Sequence, residues 1–111
     1  MEAISNARRY EFERRMMRRL VERFSMRFAN WTEPEMLRFV RTGMEKAARY
    51  NVRFEGDLAR FLDCMAWLGA DFDTHASTEW ASHILRRGDI YGSEKMNRID
   101  RYIAFELRVK P

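Results

Sequence analysis

Apolar residues recur every three or four positions along most of the chain, and no stretch alternates polar and apolar residues at strand length. Tyr10, Met17, Leu20, Val21, Phe24 and Phe28 form one such stripe and predict a long amphipathic helix over residues 4–28. Arg8, Arg14, Arg15, Arg18 and Arg19 then fall on the opposite side. Glu11 and Glu22 lie among them, four residues from Arg15 and Arg18, where ion pairs along a helix form. The first two turns of so long a helix are expected to project or fray.

The next start signal is sharper. Thr32 is an N-cap, Glu35 follows three residues later as in a capping box, and Pro34 suits the first turn. A second helix to about residue 50 places Leu37, Val40, Met44, Ala47 and Ala48 on one face, and Asn51 ends it in the left-handed conformation. A third helix, beginning at residues 55–57, carries Leu58, Phe61, Leu62, Met65 and Leu68 and stops at Gly69. After a loop over 71–76, Ser77 is expected to cap a fourth helix with Trp80, Ala81, Ile84 and Leu85 inward, ending at Gly88. Ser93 is expected to cap a fifth, carrying Met96, Ile99, Ile103 and Leu107. The expectation is an all-α fold: a compact bundle of about five helices in one domain, with residues 1–31 a long basic helix and 32–111 a four-helix remainder.

Composition agrees. Five Gly and two Pro are too few to turn a many-stranded sheet, and 46% apolar with 34% charged residues suits a globular chain. No apolar run spans a bilayer, and arginines interrupt any secretory leader, so a cytoplasmic protein without a membrane partner is expected. Cys64, the one cysteine, lies in an apolar helical run and reads as a buried small hydrophobe.

Charge changes the picture more. The net charge is +4. Residues 1–31 hold eight arginines and four glutamates, while the other eighty residues hold thirteen charges of each sign. The whole excess therefore lies on the first predicted helix, which becomes a candidate surface for an acidic partner. Arg14, Arg15, Arg18 and Arg19 are its leading residues. A solvated helix face and a seam between two copies are the other uses open to such a helix.

Little reaction chemistry is visible. His75 and His83 are eight apart and match no metal-ligand spacing, even with Asp71 and Asp73 nearby. Residues 88–92 contain two glycines but no phosphate-loop pattern. No catalytic residue, metal or cofactor is assigned. The second and third helices imitate a helix-turn-helix, but the reading helix carries Arg60 against Glu55, Asp57 and Asp63, which argues against nucleic acid. Trp31, Trp67 and Trp80 lie beside connections or off their stripes. Core packing is the default for each, and an exposed Trp beside Arg is a protein-contact hot spot.

The segments R-x-G-x-E-x-A-x-x-Y-x-V at 41–52, D-L-A-R-F-L at 57–62, L-G-A-D-F-D at 68–73, W-A-S-H-I-L at 80–85 and K-M-N-R-I at 95–99 carry a resemblance. They resemble a group of small helical bacterial proteins encoded beside type VI secretion effector and adaptor genes. The resemblance covers residues 35–101 and rests on packing and capping motifs. It implies a non-enzymatic accessory, co-chaperone or adaptor that holds a secretion effector or its chaperone. The residues expected to meet a partner are Arg14, Arg15, Arg18, Arg19 and Trp31, with the loop Asp71, Phe72 and Asp73. An immunity protein that presents that loop to a neighbouring toxin is the alternative, followed by a nucleic-acid-binding regulator.

Overall fold

The computed structural model describes residues 6–107. Every regular element among them is helical: α1 Asn6–Arg23, α2 Glu33–Arg49, α3 Glu55–Leu68, a 3-10 turn Ala76–Thr78, α4 Glu79–Leu85 and α5 Gly92–Phe105. Helix α3 packs against α1, α2 and α5, and α4 leans on α5. The core gathers where these elements meet, with Leu20, Phe61, Leu62, Met65, Phe72, Leu85, Met96 and Ile99 fully enclosed.

Local signals position the middle of the chain. The Thr32 side chain accepts from the Glu35 amide at 3.3 Å, and the Thr32 amide donates to Glu35 Oε1 at 2.8 Å, completing the capping box of α2. Asn51 takes a φ of 63° just past the helix end, and Gly69 closes α3 at a φ of 121°. The buried Lys95 ammonium of α5 donates to the Tyr50 carbonyl at 2.8 Å, filling an acceptor that the end of α2 leaves open.

Two glycines mark close approaches. A Cβ on Gly43 of α2 would collide with Leu62 and lie 2.8 Å from Met65 Sδ, both on α3. A Cβ on Gly92 would strike the carbonyl oxygen of Asn51 and lie 3.0 Å from Val52 Cα, so the start of α5 rests on bare backbone.

Several expectations are corrected. Helix α1 ends at Arg23, not near 28. Beyond it the chain tightens to i,i+3 bonds, Arg27 to Phe24 at 3.0 Å and Trp31 to Phe28 at 3.1 Å, and Phe28 lands in the core. The expected start at residue 4 lies outside the described residues. The buried face of α1 is Phe12, Glu13, Met16 and Leu20, whereas Tyr10 and Val21 are 51% and 43% exposed. Phe12, Met16 and Leu20, apolar and four apart, set the inward face, and a buried acid joins them. Glu13, 1% exposed, receives Arg41 of α2 at 2.9 and 3.2 Å, so a charged residue occupies the inward face. On α2 the inward face includes Met36, Phe39 and Gly43, leaving Leu37, Met44 and Ala48 half-buried.

The two serine caps are replaced. Ser77 lies within the 3-10 turn, and His75 Nδ1 accepts from its amide at 3.0 Å. Ser93 lies inside α5 and donates its hydroxyl to Asp57 of α3. Helix α4 stops at Leu85, before Gly88, and Leu107 lies past the end of α5 and is exposed. No helix among the described residues is long and apolar enough to cross a membrane.

Candidate partner interface

The arginines of α1 divide into two sets. One set faces α3. Arg15 meets Glu55 at 3.0 Å, and Arg19 and Arg23 share Asp63 at 2.7 and 3.4 Å. On the α2 side, Arg9 joins Arg41 at the Glu13 carboxylate, at 3.6 Å. These side chains hold α1 to its own fold, so Arg15 and Arg19 are spent within the molecule. Glu55 and Asp63, two of the three acids of α3 that argue against a groove-reading helix, are receptors for them. Arg60 is likewise engaged, donating to Asp57 at 2.6 Å and to Asp100 at 2.9 Å.

The other set forms no ion pair. Arg14 donates to the Tyr10 hydroxyl at 3.0 Å and lies 5.5 Å from the centre of its ring. Arg18 is exposed and forms no ion pair. Both line a groove of about 420 Å³, whose apolar wall is Met17 and Val21 of α1 with Trp31 and Met36 across it. Glu22 and Glu33 complete the rim.

Trp31 forms the corner where α1 turns into α2. Its ring is 37% exposed, and its inner edge packs on Phe28 at 4.9 Å and Phe39 at 5.6 Å in T-shaped geometry. Arg27 lies over the cluster, 5.8 Å from the Trp31 and Phe39 ring centres and 5.3 Å from Phe28. On the far side of Trp31 a second hollow of about 260 Å³ is lined by Arg38, Phe39, Thr42 and Met65 among others. A well-seated, half-open tryptophan thus stands between two hollows, beside Arg14, Arg18 and Arg27, which form no ion pair, and Arg38, whose charge acts on Glu35 in the same hollow.

The loop after α3 has a different fate. Phe72 is fully buried against Phe61, with ring centres 5.0 Å apart. Asp73 is buried and accepts from the Tyr50 hydroxyl at 2.7 Å and from Lys46 at 3.4 Å. Burial, and then the Asp73 hydrogen bond, push the Tyr50 phenol up to about 12. Asp71 alone of the three is exposed, and its carbonyl accepts from the amides of Thr74 and His75 at 2.9 Å. The loop is therefore internal structure with one acidic residue at the surface.

The remaining reactive groups are scattered. Burial pushes the Cys64 thiol well up. His75 caps the 3-10 turn, and exposed His83 stands 3.9 Å from Glu79. Among the described residues no three His, Cys, Asp or Glu side chains group to hold a metal.

The sequence singled out Arg14, Arg18 and Trp31, and the structure brings them to one corner. It turns Arg19 to Asp63, pairs Arg15 with Glu55 although Arg15 still shares a surface hollow with Arg14 and Arg18, and withdraws Phe72 and Asp73. Sequence reasoning missed Arg27 and Arg38 and assigned Met17 and Val21 to the core stripe. The i,i+4 spacing of Arg27 and Trp31 was the available signal for the first. No protein-family model matches the chain, and neither a curated protein nor a solved structure is significantly similar to it.

Proposed function

We propose that this chain is a non-enzymatic protein-binding module acting in the cytoplasm. Its role would be that of a small accessory or adaptor for a secretion effector, as its resemblance implies. The observation that carries the binding reading is the Trp31 corner: a half-exposed, well-seated tryptophan flanked by hollows and by arginines, of which Arg14, Arg18 and Arg27 form no internal ion pair. Desolvated Trp and Arg contribute most to protein–protein affinity. The immunity alternative has less support, because Phe72 and Asp73 are buried and only Asp71 of that loop reaches a partner. A nucleic-acid reader has less as well, because α3 is enclosed by its neighbours.

The test is co-purification of the tagged protein from its native cells, with bound proteins identified by mass. The expected result is an effector or its chaperone in fixed ratio, lost when Arg14 and Arg18 are reversed to Glu. Recovery of nucleic acid, or of no stoichiometric protein, would remove this reading.

A further inference from the structure

A cleft of about 250 Å³ opens where α1, α3 and α5 meet, apart from the Trp31 corner. Arg19, Arg23, Arg60, Asp63 and Asp100 supply its charged wall, and Cys64, Trp67 and Ile103 its apolar one. The charges cancel within the fold. Arg19 and Arg23 share Asp63, and Arg60 bonds Asp57 and Asp100. A ligand with a net charge would be desolvated here without compensation. Two atoms of the wall are buried and lack a hydrogen-bond partner: Arg19 Nε, a donor, and Asp63 Oδ1, an acceptor. They belong to one ion pair, closed at 2.7 Å between Arg19 Nη2 and Asp63 Oδ2, which leaves an open donor beside an open acceptor. Buried polar groups are nearly always paired, and each one left open costs stability.

From these features we infer that the cleft binds a small uncharged ligand with a primary carboxamide on a flat apolar body. The carboxamide oxygen accepts from Arg19 Nε, and its N–H donates to Asp63 Oδ1. A carboxamide presents these roles on two atoms, whereas a hydroxyl has one oxygen for both. The apolar body lies against Ile103 and the half-buried ring of Trp67. Both open atoms lie below the surface, so entry turns aside the Arg19 and Arg23 side chains, which are 36% and 40% exposed. The site is separate from the Trp31 corner and does not depend on the protein-binding reading.

The test uses the full chain with benzamide as the probe. Methyl benzoate, which lacks the amide donor, and benzoate, which adds a charge, are the controls. Amide and indole shifts in the protein locate the site, and titration gives affinity. Benzamide is expected to shift Arg19, Asp63, Trp67 and Ile103 and to bind about fivefold or more tightly than either control. Arg19→Lys keeps a cation for Asp63 but removes Nε, and should abolish that preference with the fold intact. Equal binding of the three probes, shifts mapping elsewhere, binding of none, or an unchanged preference in Arg19→Lys overturns the inference. So does a crystal structure grown with benzamide in which Arg19 Nε and Asp63 Oδ1 pair with each other or through a single water, which would make the cleft part of the ion-pair network alone.

Discussion

Neighbouring arginines on one helix do opposite things in this protein. Arg15 and Arg19 cross to acids of α3, while Arg14 and Arg18, each one residue earlier, face a groove without an ion pair. One residue along an α-helix is a rotation of about 100°. That rotation separates an arginine that fastens the fold from one left for a partner. A cluster of basic residues in a sequence is thus two populations, and only the packing of the helix sorts them.

The largest effect that would sharpen this contrast concerns the most deeply held ion pair. Glu13→Ala leaves a cavity at a fully enclosed site, while the half-exposed Arg41 can turn to water, so it should cost about 2 kcal/mol in denaturant unfolding, chiefly through lost packing. Glu13→Met, which refills the space with an apolar chain, should recover most of that. A neutral Glu13→Ala would mean the seam contributes nothing, and the contrast would fail. Asp63→Ala comes next, at about 1–2 kcal/mol, because Arg19 and Arg23 are partly solvated and can turn to water.

A third measurement probes the loop after α3. The Tyr50 phenol titrates in the folded chain at about 12 against an ordinary 10. Its contribution is fully present below pH 10 and is lost as pH rises towards 12, since the folded state resists forming the phenolate. Urea midpoints should therefore fall more steeply between pH 10 and 12 in the wild type than in Tyr50→Phe. Parallel curves would dissociate Tyr50 from Asp73. Smallest of all, Arg14→Ala with Arg18→Ala should shift stability by less than about 0.5 kcal/mol, as exposed side chains without acid partners do. A larger loss would show that these arginines, too, belong to the fold.

What the sequence revealed follows the range of the interactions involved. The Thr32–Glu35 box, the left-handed Asn51 and the stop at Gly69 are settled within a few residues, and each was legible. The facing of α1 was legible in Phe12, Met16 and Leu20, apolar and four apart, but the stripe through Tyr10 and Val21 passed Phe12 and Met16 over. The inward turn of Glu13 was not legible, because Arg41 meets it from 28 positions away. Ser93 misled for the same reason: its hydroxyl serves Asp57 across 36 positions instead of its own helix end. At the candidate interface, residue type identified Trp31, Arg14 and Arg18. Their neighbours in sequence looked identical, and only α3 claimed them. The loop at 71–73 read as acidic and exposed because nothing local announced that Tyr50 and Lys46 would draw Asp73 inward.

Helix α3 buries nine of its fourteen residues and is wrapped by α1, α2 and α5. Peripheral helices can lift from such a hub one at a time, but the hub itself meets water only when all of them have gone. Its peptide groups should be the last in the molecule to trade protons for deuterons, at a rate that reports the opening of the whole chain. Those of α1 should exchange through smaller excursions, which an occupant of the Trp31 groove would suppress.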